Sequence, residues 1–509
     1  MDILHNLAMG FEIVLTPTNL LVAFLGCLVG TAVGVLPGLG PTATISLLLP
    51  VSVYLDRTSS IILMSGIYYG AMYGGSITSI LIKIPGEAAS VITCLDGYQM
   101  ARKGRAGAAL GISAFASFGA GIIATLGIAL IGPEVAATAL AFGPVEKTAL
   151  LVLGLTLIMG VGQGSRVRML AMVALGLFLG TVGVDIVSGE ERFVFGVPEL
   201  RDGFGVAVVA MGLFGLSEVL MMAEEKNAKT DIIRYGTRTR DLLPNREEAR
   251  ASIGPALRGS FLGFFLGLLP GGGALISSFA SYMLERRISR HPERFGHGAP
   301  EGVAGPEAAN NAAAQASFIP LLCLGIPANA VIGVIMGALL VQGITPGPQL
   351  IVEHPELFWG VIASMFVGNL MLIVLNVPLI GLFVALLRVP QGIMAVLIVS
   401  FCVIGAFSLN NSMFDVTAMI GFGILGYALR KADFNLAPLL LAFVMGPLFE
   451  QNLRQGLIIG YGNPVVFLQS PISLGFLIAA VGIFIGPYVL KLFGRGRVEL
   501  QPVPTSAAE

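Results

Sequence analysis

Gly34-Val-Leu-Pro-Gly-Leu-Gly40 recurs at a shift of 233 as Gly267-Leu-Leu-Pro-Gly-Gly-Gly273. Each copy interrupts an apolar stretch. Proline removes a backbone donor and glycine permits a sharp turn, so each motif predicts a helix that stops inside apolar surroundings. Such a stop is tolerated in lipid only where protein or a cavity satisfies the freed backbone groups. Three weaker matches follow in the same order. Ile84-Pro85 returns as Ile326-Pro327 at 242, Phe142-Gly-Pro144 resembles Arg388-Val-Pro390 at 246, and Ala210-Met-Gly212 resembles Val444-Met-Gly446 at 234. Composition bias could produce one or two of these. Their shared order implies two repeats.

The whole chain supports a lipid setting. Its 509 residues are 55% hydrophobic and 12% charged, with a mean hydropathy of +0.87; soluble proteins carry about 25% charged residues. So little charge cannot cover soluble domains of this size, and the chain is read as an all-α polytopic membrane protein. A net charge of −1 and scattered basic clusters give no footprint for nucleic acid. Cys27, Cys94, Cys323 and Cys402 lack metal spacing and read as reduced packing residues. Met1 to Thr18 contains no Lys or Arg, so no cleavable secretory signal is expected.

Basic loops set the topology, because they stay on the cytoplasmic side. Repeat 1 is assigned to 1–222, a cytoplasmic linker to 223–253, repeat 2 to 254–455, and a final span with a cytoplasmic tail to 456–509. The linker carries Lys226, Lys229, Arg234, Arg238, Arg240, Arg246 and Arg250. The block 254–284 lies between it and Arg286, Arg287, Arg290 and Arg294, so it enters and returns. Each arm of about 15 residues is short for a ~30 Å hydrocarbon core, which predicts a re-entrant hairpin. The segment 308–343, broken at Pro327, leads to Glu353, His354 and Glu356 and is expected to cross once as a discontinuous helix. Further spans near 357–386, 391–408, 413–430 and 435–449 make five crossings. An odd number inverts the next copy. In the first copy the hairpin at 18–55 has acidic flanks and only Arg57, whereas the broken helix at 59–101 leads to Arg102, Lys103 and Arg105, as inversion requires. Arg166 and Arg168 then fall inside, Glu190 and Glu191 outside, and 203–222 returns to the linker. A last span near 472–490 ends at Lys491, Arg495 and Arg497, placing the C-terminus in the cytoplasm.

Inverted repeats with broken helices are the pattern of secondary transporters. A helix that stops inside the membrane exposes amides that favour anions at one end and carbonyls that can coordinate Na⁺ at the other. The four breaks lie at Pro37-Gly38, Pro85-Gly86, Pro270 to Gly273 and Pro327, each followed by small polar residues. Closely packed kinked helices would account for one such motif. Four in paired positions point to a binding site lined by Gly38, Gly40, Thr42, Lys83, Pro85, Gly86, Gly271, Gly272, Gly273, Ser277, Asn310, Asn311, Pro327 and Asn329. Na⁺ is expected near Gly38, Gly86, Gly272 and Pro327, with H⁺ as the other coupling ion open. Lys83 either meets a substrate carboxylate or pairs with Glu87, four residues on. Asp96 is read as a loop cap, and His291 and His297 as solvated. Asn310 and Asn311, equivalent to Tyr68 and Tyr69, are expected to face the site.

Several motifs resemble the large membrane subunit of the tripartite tricarboxylate transporters, the TctA type: Gly34 to Pro41, Tyr69-Gly-Ala-Met-Tyr-Gly-Gly-Ser-Ile-Thr-Ser79, Ile84 to Ser90, Asp96 to Ala101, Leu269 to Gly273, Pro306-Glu-Ala-Ala-Asn-Asn311 and Leu324 to Pro327. They extend over both repeats. The resemblance implies a permease of the bacterial inner membrane that works with a small four-helix TctB-type membrane subunit and a periplasmic TctC-type binding protein, moving organic carboxylates with a cation gradient. Likeness to other two-hairpin carriers implies an elevator motion. The competing classes are an intramembrane enzyme and an ion channel. The chain has no H-E-x-x-H helix, no nucleophile–base pair and no phosphate loop for a pump, and no bound cofactor is expected. A channel would be built as a ring of shorter units.

Overall fold

The computed structural model describes residues 3–492 apart from 162–164, 186–187, 225–231, 234–235, 237–238 and 272. Gly272, Lys226, Lys229, Arg234, Arg238, Arg495 and Arg497 lie outside the described residues. The described residues are mostly helical, with one short antiparallel pair among them, Gly183–Val184 with Glu191–Arg192.

The helices of the first half are α1 (Ile3–Val14), α2 (Pro17–Val35), α3 (Pro41–Ser52), α4 (Arg57–Ile82), α5 (Thr93–Met100), α6 (Ala106–Ala139), α7 (Pro144–Val161), α8 (Arg166–Leu179) and α9 (Val206–Glu224). Those of the second half are α10 (Arg246–Gly267), α11 (Gly273–Ile288), α12 (Glu301–Ala316), α13 (Ala330–Val341), α14 (Pro355–Asn376), α15 (Gln391–Asn410), α16 (Met413–Lys431), α17 (Ala437–Ile459) and α18 (Pro471–Leu492). Among the described residues six helices are long and apolar enough to cross a bilayer: Pro17–Val35, Thr93–Ala139, Val206–Glu224, Pro355–Asn376, Gln391–Asn410 and Met413–Lys431. All four cysteines are free and buried, as expected. The N-terminal α1, which precedes the spans expected from the sequence, packs on α14.

Both quoted Pro-Gly motifs form hairpin tips, α2–α3 and α10–α11. The second hairpin begins at Arg246 rather than 254, because Asn245 and Glu248 form a capping box that starts the helix within the polar linker. Each hairpin's first arm lies parallel to the helix that follows the hairpin, held close by glycines one turn apart. A Cβ on Gly26, Gly30 or Gly34 would come within 2.6, 2.4 and 2.4 Å of the carbonyls of Leu63, Ile67 and Ala71. A Cβ on Gly259, Gly263 or Gly267 would come within 2.3, 2.2 and 2.5 Å of those of Gly305, Ala309 and Ala313. The first ladder ends at Ala71 and Gly75, short of the Ile82 end of α4, so the tip stops inside the protein.

The helices after the hairpins run against each other. Ser76 of α4 meets Glu307 of α12, while Tyr68, two turns back, lies against Phe318, ahead of Glu307. Hence α4 and α12 are antiparallel. The ends of the first hairpin sit beside Val341, Gln342 and Glu356, where Gln342 donates to the Ser52 carbonyl at 3.0 Å. Those of the second sit at the other end, where Arg105 pairs with Glu248 and Asp96 accepts from the amides of Gly296, Gly298 and Ala299 and from the Tyr282 hydroxyl. Asp96 is thus the loop anchor expected.

The broken helices differ from a simple interruption. After Ile82 the chain doubles back: the Gly86 amide donates to the Gly75 carbonyl at 3.3 Å, and Ser79 and Ser90 hydroxyls lie 3.0 Å apart. Helix α5 then restarts beside Ser76 and runs along the end of α4. The second break behaves alike. Helix α12 leads into a wider helical turn at Pro320–Leu324, Gly325 adopts φ +71, and Asn329 returns to the level of Phe318 by donating to the Tyr68 hydroxyl at 2.9 Å. Proline and glycine mark where a helix stops, but not that the chain retreats along it.

Candidate functional site

The first tip and the first doubled-back loop enclose a cavity of about 390 Å³. Gly38, Gly40, Thr42 and Ala43 line it from the hairpin, and Pro85, Gly86, Glu87 and Ala88 from the loop. Phe214 and Glu218 of α9, Arg430 at the end of α16 and Phe434, Asn435 and Leu436 complete it. The tip needs a glycine at 38, whereas Gly40 has an ordinary φ and open space beside it. Gly38 has φ +92, and its would-be Cβ lies 3.0 Å from a Glu218 carboxylate oxygen. A Cβ on Gly86 would come within 1.9 Å of the Gly34 carbonyl, so tip and loop touch backbone to backbone.

Two features of this cavity favour an anion. Helix α3 begins at Gly40 with no capping side chain, so its first-turn amides are not satisfied by the cap, and the positive end of its dipole borders the cavity. Arg430 is the one Lys or Arg on the described lining, and a guanidinium fork matches a carboxylate bidentately. It is paired with the Glu218 carboxylate. Glu87 caps the short helical turn 88–91 by accepting from the Ala89 amide at 2.6 Å.

The other sequence-predicted residues lie elsewhere. Gly271, with φ +81, donates its amide to the Ala328 carbonyl at 2.8 Å, and a Cβ there would lie 2.9 Å from the Ile158 Cα, so the second tip is packed against α7 and its own loop. Gly273 starts α11, and the Ser277 hydroxyl bonds back to its carbonyl at 2.9 Å. Asn329 caps α13 through the Ile332 amide, just after Pro327. A separate hollow of about 210 Å³ adjoins this second break, lined by Gly325, Ile326, Lys147, Gln451 and Asn452 among others.

Lys83 neither pairs with Glu87 nor lines the first cavity. It ends α4 at φ +61, so the helical i, i+4 spacing that would have brought Glu87 to it does not exist; its ammonium lies 5.9 Å from the Tyr98 ring centroid. Asn310 and Asn311 do not line that cavity either. Helix α12 lies behind α4, and both amides are enclosed at 0% exposure, with Asn311 donating to Ser117 at 2.8 Å. Glu218 and Arg430 were missed. Glu218 carried a signal, as an ionisable residue inside an apolar helix. Arg430 read only as a basic helix end.

The comparisons agree with the motifs. Residues 20–441 match the family described as the tripartite tricarboxylate transporter TctA family. A protein of Agrobacterium vitis named "Uncharacterized 52.8 kDa protein in TAR-I ttuC' 3'region" is 52% identical over 483 residues, 95% of each chain. A second from the same organism, "Uncharacterized protein in TAR-II ttuC' 3'region", is 56% identical over 215 residues, covering 42% of this chain and 89% of that one. No solved structure matches.

Proposed function

The chain belongs to the tripartite tricarboxylate transporter TctA family, and from that premise we propose that it carries a tricarboxylate or related organic carboxylate across the bacterial inner membrane, driven by a Na⁺ gradient. The substrate is handed over by a TctC-type periplasmic binding protein, and a TctB-type four-helix subunit completes the permease. The C-terminal tail lies in the cytoplasm. The observation that carries this reading is the first cavity, where a hairpin tip, a helix N-terminus and Arg430 converge on a space sized for a small anion.

Inverted repetition is supported by packing. The glycine rungs Gly26, Gly30 and Gly34 and Gly259, Gly263 and Gly267 differ by 233, and their partners Leu63, Ile67 and Ala71 and Gly305, Ala309 and Ala313 differ by 242. These are the shifts of the sequence motifs, and the α4 and α12 directions are opposed. An elevator cycle would open the two tips in turn: one borders a cavity, and the other is packed on Ile158 and Ala328.

The test is uptake of labelled citrate and related carboxylates into vesicles holding this chain with both partners. Accumulation above the outside concentration under an inward Na⁺ gradient, collapsing when the gradient is dissipated, supports a carrier. Flux that only equilibrates supports a channel, and substrate conversion an enzyme.

A further inference from the structure

Glu307 occupies a place where a carboxylate is costly. It lies on α12 at 0% exposure, against α4 and the start of α5, and no Lys, Arg or His pairs with it among the described residues. Its immediate partners are hydroxyls: Ser76 donates to Oε2 at 2.6 Å, and Thr93 donates to Oε1. Ser113 and Asn310 flank the carboxylate. Hydroxyls share a charge without cancelling it, and a lone buried charge in a membrane protein is retained where something neutralises it. A second buried acceptor lies nearby in the chain. Asn311, one helical turn from Glu307, has its side-chain oxygen buried without a partner, although buried acceptors are almost always satisfied.

We propose that Glu307, Ser76, Thr93 and Asn311 form a binding site for one dehydrated sodium ion. The groups available are oxygens, which suit a hard cation, and the single carboxylate matches one positive charge. A proton would satisfy one Glu307 oxygen and leave the Asn311 oxygen as it is. The placement gives the ion a lever on transport. Ser76 precedes the doubled-back loop and Thr93 follows it, while Pro85, Gly86 and Glu87 between them line the substrate cavity. An ion held by both hydroxyls fixes both roots of that loop and so sets the wall of the cavity. The ion site stands on its own geometry; its role in coupling rests on the carrier reading above.

The test needs neither substrate nor partners. A ligand that binds the folded state raises its stability with concentration, so the purified full chain in detergent is melted in NaCl, KCl and choline chloride at constant ionic strength, at several pH values. The expected result is a saturable rise in Tm with Na⁺ and not with K⁺ or choline, abolished in Glu307→Gln. Should that variant not fold, Ser76→Ala and Thr93→Val are expected to raise the half-saturating Na⁺ concentration at least tenfold. Slower amide exchange across 84–92 in Na⁺ is the local counterpart. The proposal is overturned if the wild type shows no Na⁺-specific rise, if Glu307→Gln keeps the whole of it, or if stability follows pH in the absence of Na⁺ and ignores Na⁺. Na⁺-specific stabilisation in a protein that moves no carboxylate upholds the site and removes the carrier reading.

Discussion

Arg430 and Glu218 are paired on the wall of the first cavity, so on the carrier reading a carboxylate that bound there would meet a guanidinium already engaged. Such a carboxylate would compete with Glu218 for the guanidinium. Charge-assisted hydrogen bonds contribute about 1.5–3 kcal/mol, so Arg430→Gln is expected to raise the KM for uptake by about tenfold or more. Arg430→Lys keeps the charge but loses the fork and should fall between the two. Glu218→Gln removes the competitor, and a lower KM is expected from the same uptake assay; an unchanged KM in both variants would place recognition elsewhere. Gly86 makes a sharper steric test. Its would-be Cβ meets the Gly34 carbonyl at 1.9 Å, whereas that of Gly104 meets nothing. Gly86→Ala should therefore cut uptake severely at normal expression, while Gly104→Ala, strained only by its φ of +78, retains most of it. The glycines of this site were legible because a turn and a close approach each demand one. Arg430 was not, because its partner is 212 residues away in the chain and a basic residue at a helix end already has a topological explanation.

Between the residue and the whole chain, the unit that holds the protein together is the parallel helix pair with a glycine ladder. Without a hydrophobic force between helices in lipid, close backbone approach supplies the packing, and a branched side chain on a rung must push the pair apart. Gly30→Val in the first ladder and Gly263→Val in the second are each expected to lower the melting temperature in detergent and the yield of folded protein. Gly119→Val, which meets no atom within 4 Å, is the control expected to leave both nearly unchanged. Equal effects from all three would mean that the ladders do not carry the assembly. Hairpin arms and stops could be read from Pro-Gly motifs and apolar runs, but the retreat of the chain after Ile82 and after Gly325 could not. It depends on contacts such as the Gly86 amide with the Gly75 carbonyl, which are made across a turn whose direction no local propensity specifies.

For the molecule as a whole, the testable quantity is the side of the membrane on which each hairpin's ends lie. Charge placement put Arg57 and Arg290 on opposite sides, and in the structure the ends of the two hairpins lie at opposite ends of the bundle, one beside Gln342 and the other beside Asp96. Arg57 and Arg290 are both exposed, and the four native cysteines are buried, so single cysteines at these positions stand out against a quiet background. In right-side-out vesicles a membrane-impermeant thiol reagent is expected to label Arg57→Cys and to spare Arg290→Cys until the membrane is opened. Inside-out vesicles should reverse the pair. The contrast matters more than either signal, because the proposed elevator cycle would move the tips while leaving these two positions on their own sides. Labelling of both from one side would break the inversion on which the paired tips depend, and with it the assignment of the first cavity and the second tip to equivalent steps of one cycle.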